Sequence, residues 1–310
     1  MILKNRQHGA AIITALLVVA LVATTVAFLL AQQSQALTRI ERTSAHAQAQ
    51  QYASATLDWA RAALLEDQRR STNDHLNEAW AQSLFAVPIE GAVASGALHD
   101  EAGLFNLNNL IREDGVKSEP DAEIFRRLLS SLKLSPELAN ALADWIDKDS
   151  EVSYPGGAED QTYLSLSNPY RAANRPLLQV EEILRVRGID QTAYIRLRPF
   201  VTALPVRTRL NLNTAPQEVL VAFFPTLDNE EITQIIASRQ VISYRDRADI
   251  RERLKKAPSA FLEENIDAKS DFFSAMVSVS NDQAEVRLQA LFRRQSKADG
   301  WPSIIWVKNE

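Results

Sequence analysis

The chain has no cysteine among its 310 residues. That excludes disulfide staples and thiolate metal sites, and it leaves the redox compartment unspecified. Glycine is scarce, with nine residues, and neither glycine nor proline occurs between Ala10 and Val87. The usual helix breakers are therefore missing from the first quarter of the protein. An excess of positive charge is missing too: 34 Lys and Arg stand against 39 Asp and Glu, for a net charge of −5. Such a balance does not attract polyanions, so nucleic acid is not an expected partner. No H-E-x-x-H, G-x-S-x-G or phosphate-loop pattern is present, so nothing marks a catalytic site and no enzymatic activity is expected. Of the four histidines, His8 lies near the start, while His46, His75 and His99 are isolated and read as surface polar residues.

What the chain does have is one long apolar run. Lys4, Arg6 and His8 precede Gly9, and Ala10 to Ala31 then gives 22 residues without a charge, a glycine or a proline. A bilayer-spanning helix needs roughly 20 such residues. The basic leader keeps the first nine residues cytoplasmic and sends the C-terminus across the membrane. The run begins directly after Gly9, so a cut between Gly9 and Ala10 would leave the helix on the mature chain, unlike a secretory signal. Loss of Lys4 and Arg6 would take the net charge from −5 to −7.

Helix-forming residues continue past the run, and the pattern predicts one helix from Ala10 to about Asp67, roughly 85 Å long. Leu37, Ile40, Ala47, Tyr52, Ala55, Trp59, Ala62 and Ala63 give its outer half an apolar face expected to pack on a globular domain. Short β-compatible stretches follow over 89–97 and 98–107, and strands are expected at 273–280, 285–293 and 304–307, with Asn281-Asp282 as a turn. The segment between these β regions reads as almost wholly helical. The predicted fold is α+β: a long N-terminal helix on a small antiparallel sheet, with a large all-α insertion between its strands. Within the insertion, Phe105-Asn106-Leu107-Asn108 is echoed by Leu210-Asn211-Leu212-Asn213. Each copy reads as a short strand leading through a turn into a helix, with Asn213 or Thr214 as cap and Pro216 in the first turn.

Two patterns carry candidate chemistry. Asp144, Asp147, Asp149, Glu151, Glu159 and Asp160 place six carboxylates within seventeen residues, past a helix expected to end near Ile146. Calcium suits such oxygen-rich loops, although this spacing is not an EF-hand; a solvated acidic turn is the alternative. The segments 177–189 and 210–220 look like pieces of helix-hairpin-helix modules. Only Gly188 stands in the hairpin, however, and residues 106–209 hold 14 Lys and Arg against 15 Asp and Glu. Reused helical packing explains them better than DNA binding.

The leader, Gly9 and the run AAIITALLVVALVATTVAFLL resemble the class III signal of type IV pilins and type II secretion pseudopilins. With DEAGLFNLN, ALADWIDKD, GAEDQTYLSL, NPYRAANRPL and LNLNTAP, the whole chain resembles the K-type minor pseudopilin of the type II (general) secretion pathway. Thr14 stands at the fifth mature position, where most pseudopilins carry Glu, and its absence is expected of the K type.

The resemblance implies a leader over 1–9 cleaved after Gly9 by the prepilin peptidase, methylation at Ala10, and a transmembrane helix over 10–31. It implies a pilin-like domain whose first part covers 32–108. SAM-like, helix-hairpin-helix-like inserts would follow over 109–205 and 206–270, and C-terminal strands over 271–310. It implies a single-pass inner-membrane protein with a periplasmic C-terminal domain, placed at the pseudopilus tip to initiate assembly and support export. I- and J-type minor pseudopilins are the implied partners, with an H type as a further candidate and the inner-membrane secretion platform below. Structural calcium would be held by Asp147, Asp149, Glu159, Asp160, Asp144 and Glu151. The competing reading is a membrane-anchored helix-hairpin-helix protein for DNA uptake.

Overall fold

The structure is a computed structural model and describes residues 7–295 and 300–309, with side chains from Ala11. The leader residues Lys4 and Arg6 lie outside the described residues. Helix α1 runs unbroken over Gln7–Arg70, 64 residues, or roughly 95 Å at the usual rise. Gly9 and Ala10 both fall in its first turns. Every residue from Ala11 to Ser44 is exposed, so this half of the helix stands clear of the globular core among the described residues.

After α1 the chain forms β1 (Leu84–Ile89) and β2 (Ala92–Asp100), then leaves the sheet and returns as β7 (Phe272–Ser280), β8 (Glu285–Arg293) and β9 (Ser303–Asn309). The five strands pair antiparallel in the order β1-β2-β7-β8-β9. The insertion therefore departs and returns through neighbouring strands, from Asp100 and to its partner Phe273. The first hairpin turns at Glu90-Gly91, and β2 runs through the boundary between the two β-compatible stretches at 97 and 98. Gly91 supplies the left-handed turn residue at φ +80°, while Gly96 lies inside β2 opposite Val277. Pro88 is tolerated because β1 is an edge strand. The C-terminal strands fall where they were expected from the sequence, with Asn281 Oδ1 accepting from the backbone of Gln283 and Ala284 in the turn.

The face of α1 that packs on the sheet differs from the one expected. Ala49, Ala53, Leu57, Ala60 and Leu64 are buried against Phe273, Val277, Leu288 and Phe292. Leu37, Ile40 and Trp59 instead remain 60, 65 and 53 % exposed. Small residues let the helix axis approach the sheet closely, so the alanine-rich stripe wins the contact and the bulkier stripe is left outside.

The insertion contains α2 (Glu119–Ser131), α3 (Leu138–Ile146), α4 (Asp160–Leu164), α5 (Gln191–Leu197), α6 (Gln217–Phe223), α7 (Asn229–Val241), α8 (Arg247–Arg253) and α9 (Ser259–Asn265). Its two halves begin alike. Strand β3 (Phe105–Asn106) pairs parallel with β4 (Val201–Thr202), and β5 (Leu210–Asn211) pairs parallel with β6 (Ile266–Asp267). Each asparagine-bearing segment thus closes its own half. Asn108 Nδ2 donates to the carbonyls of Leu177 and Leu204, and Asn213 Nδ2 donates to those of Tyr244 and Ala268. These asparagines staple backbone rather than cap helices: Thr214 donates to Asp100, and Pro216 sits at the cap position of α6. One hydrophobic cluster runs through both halves, from Phe105 and Phe125 to Leu262 and Ala268, so they pack as a single body.

Candidate metal centre

Helix α3 is buried along its whole length, which carries Asp144 into the interior on its last turn. Asp147 follows as the C-cap, its N–H donating to the carbonyl of Ala143 at 2.9 Å. The loop then doubles back through Gly156 and Gly157, and Glu159 arrives as the residue capping α4. Asn140 Nδ2 holds the carbonyl of Pro155 at 2.8 Å, and Lys117 Nζ donates to Asn140 Oδ1 at 2.7 Å. Trp145, Tyr163 and Tyr170 stack edge-on and face-on behind the loop.

This arrangement gathers Asp144, Asp147 and Glu159, each offering an oxygen within 4.8 Å of the others, and all three are buried. Asp144 Oδ2 accepts from the backbone of Ser153 at 3.0 Å. Asp144 Oδ1, Asp147 Oδ1 and both Glu159 oxygens have no hydrogen-bond partner. Burial, then the charges of Asp149 and Asp144, push Asp147 up to about 7. Burial, then Asp147 and Asp144, push Glu159 up to about 7. Asp144 is raised as well, chiefly by burial. Three buried carboxylates with orphaned oxygens are costly unless protonated or bound to a cation. The donor set is all oxygen, which suits a hard divalent ion and not zinc or copper. Gly157 keeps the cradle open: a Cβ there would stand 2.3 Å from Asp144 Oδ2 and 2.2 Å from the Ser153 carbonyl.

The other sequence candidates lie apart from the triad. Asp149 is exposed and accepts from the backbone of Glu151, acting on the site only through its charge. Glu151 is exposed. Asp160 is turned away by its neighbours: its Oδ1 accepts from the Ala172 backbone at 2.9 Å and its Oδ2 lies 3.4 Å from Arg171. The supports Asn140, Ser153 and Lys117 were not legible beforehand. The Gly156-Gly157 pair was the one signal of a tight cradle. Replacing Gly157 with Ala is expected to abolish the cation-induced rise in melting temperature, read by thermal denaturation with and without calcium.

A second acidic gathering, Asp67, Asp74 and Glu78, is answered from within the chain. Arg294 donates to Asp67 at 2.5 Å and to Asp74, while Glu78 accepts from Trp80 at 2.8 Å. The helix-hairpin-helix-like region bears acids among its arginines. Glu182 pairs with Arg175 at 2.9 Å, Glu181 with Lys308 at 3.1 Å, and Asp190 caps α5.

Comparison with known proteins gives these features a context. The family model described as type II secretion system (T2SS), protein K matches residues 103–206, and a second model of the same description matches residues 210–269. The type II secretion system protein K of Pseudomonas aeruginosa is 35 % identical over 305 residues, covering 94 % of this chain and 90 % of that one. The chain belongs to the type II secretion system protein K family. The Klebsiella pneumoniae member is 30 % identical, covering 99 % of this chain and all of its own. A chain in the crystal structure of the GspK-GspI-GspJ complex from enterotoxigenic Escherichia coli superposes with a TM-score of 0.75 at 25 % identity. That match covers 85 % of this chain and 96 % of the other. As a member of this family the chain is a minor pseudopilin, and nothing in these likenesses supports the DNA-uptake alternative. Its N-terminal apolar helix fits the membrane anchor of a secretion-system protein.

Proposed function

We propose that the chain sits in the inner membrane with its C-terminal domain in the periplasm, at the tip of the pseudopilus, where it initiates assembly with I- and J-type partners. The observation that carries this reading is the pairing of an apolar helix exposed over residues 11–44 with a sheet that presents a bulky helical insertion at its far end. An anchor of this kind can be cleaved after Gly9 and methylated at Ala10. Co-purification of the full chain with the I- and J-type pseudopilins from solubilised membranes tests the assembly; recovery of neither would sink it.

Thr14 supports the terminal position. An internal subunit needs a carboxylate at this level to offset a neighbour's N-terminal ammonium in an apolar core, where an unpaired charge is costly. A subunit with no neighbour above has no such ammonium to answer, and Thr14 Oγ1 satisfies itself on the Ala11 carbonyl at 2.9 Å. Thr14→Glu is expected to leave secretion unchanged or lower it. A marked gain in exported protein would sink the tip placement.

Asp144, Asp147 and Glu159 are the residues we assign to a structural calcium ion, with Asp149 adding negative potential from the rim. The bound ion would neutralise charge and fix the loop against α3; it supplies no reaction.

A further inference from the structure

The sheet has a second face, turned away from α1. Val286, Leu288, Ala290 and Phe292 of β8 are buried in the cluster that α1 joins, so the alternate residues Gln289 and Leu291 project from the other side. Register places Trp306 of β9 opposite Leu291, and Lys308 opposite Gln289. The first half of the insertion leans over this end of the sheet, and a cavity of about 280 Å³ lies between them. Leu104, Leu178, Val201 and Leu291 give it apolar walls, and polar groups come from both sides. Ligand sites favour such places, where two bodies meet and a few polar groups converge on apolar walls.

Two of those polar groups are unanswered. Trp306 Nε1, a donor, and Gln289 Oε1, an acceptor, are buried and have no hydrogen-bond partner among the described residues. Burying polar groups unpaired is costly. The two side chains stand at diagonal positions on adjacent strands, roughly 7–8 Å apart, a gap that one amide group can bridge. An amide supplies both missing partners: its carbonyl accepts from the indole and its N–H donates to Gln289. Glu101, also in the lining, is already engaged, accepting from Thr202 Oγ1 at 2.6 Å.

The mouth is basic. Lys308 Nζ lies 5.3 Å from the centre of the Trp306 ring and reaches across to Glu181 at 3.1 Å. Arg198 is exposed beside the same carboxylate. Glu181 is held below its usual range, against its partial burial, by hydrogen bonds from the backbone and Lys308 and by the charges of Lys308 and Arg198. Two cations thus share one carboxylate. A partly exposed pair of this kind is worth little, so an incoming carboxylate can draw Lys308 from Glu181 and uncover the indole.

We propose that this cavity binds the carboxyl-terminal end of a polypeptide whose last residue is apolar. The terminal carboxylate lies on Lys308 and Arg198, the apolar side chain packs against Leu104, Leu178 and Leu291, and the last amide spans Trp306 and Gln289. The site lies across the sheet from α1 and depends on neither the membrane anchor nor the tip placement.

Fluorotryptophan in the detergent-solubilised full chain gives five fluorine resonances, one for each tryptophan, and Trp306→Phe identifies the one to follow. The probe is acetyl-Ala-Leu with a free carboxylate, and its carboxamide is the control. The Trp306 resonance is expected to shift saturably with the acid, while the other four stay in place and report an intact fold. Calorimetry is expected to show the acid bound about tenfold more tightly than the carboxamide, as charge-assisted hydrogen bonds allow. Glu181→Gln, which releases Lys308, is expected to tighten the acid about threefold, and Arg198→Gln to weaken it by about the same factor, with the carboxamide unaffected. Any of four results would overturn the assignment: no saturable shift at Trp306, the same shift with acetate alone, equal affinity for acid and carboxamide, or an acid affinity unmoved by both substitutions.

Discussion

Chelating divalent cations is expected to lower the melting temperature of the chain lacking residues before 32 by about 5–10 °C, and excess calcium to restore it. The truncation is expected to be benign because residues 11–44 are exposed. The magnitude follows from mass action. An ion present at a hundred times its dissociation constant stabilises by about 2.7 kcal/mol, and each kcal/mol moves a domain of this size by about 2–4 °C. Joint replacement of Asp147 and Asp149 by Ala should remove the calcium response. The pH dependence has a definite sign. Asp147 and Glu159, both raised to about 7 when metal-free, bind protons more tightly folded than unfolded. That favourable contribution is present at acid pH and is lost as pH rises through about 7. The metal-free protein is therefore expected to gain stability from pH 8 toward pH 5, and calcium, competing with those protons, to bind more weakly. Titration calorimetry at two pH values checks both trends, and no saturable binding at pH 8 would return the loop to a solvated turn.

Arg294→Met is expected to cost about 3–5 kcal/mol, the loss typical when one partner of a buried ion pair is removed. Arg294 lies over the Phe273 ring at 4.4 Å and bonds Asp67 of α1 and Asp74 of the following segment. Asp74 also accepts from the Ser270 backbone at 2.7 Å, and its own N–H reaches the Ala268 carbonyl. The variant leaves two carboxylates facing one another without a cation. Burial already pushes Asp74 up to about 7 despite the arginine, so part of the loss should be recovered at acid pH, where the group is protonated. Urea denaturation at pH 5 and pH 8 measures both effects. A loss under 1 kcal/mol at pH 8 would mean that the joint is not structural.

Much of this was legible in the sequence, and the misses have physical causes. The length of α1 could be read because no residue interrupts it. Strand β8 could be read because alternation with one buried face leaves a period of two over much of its length. The packing face of α1 could not, because the sequence ranks Trp59 and Leu37 as more apolar than Ala49 and Ala53, and only the approach of helix to sheet reveals the preference for small residues. The limits of β1 and β2 were not legible, because several glycines punctuate the stretch and only the fold shows that the turn falls at Gly91, at φ +80°. At the acidic loop the cluster was visible, but membership was not. Asp144 converges with Asp147 and Glu159 because α3 is buried on all sides, and Asp160 is drawn away by the Ala172 backbone and Arg171.

The attachment of the insertion has a mechanical consequence. It hangs from two adjacent strands that meet it at one end, Asp100 beside Phe273. A pull on the insertion away from the sheet would load the β2–β7 rungs one after another from that end, which is the weak direction of a ladder. A thrust delivered along α1 reaches the same root through Asp67, Arg294 and Asp74. The body is thus built as a strut that pushes well and tears easily.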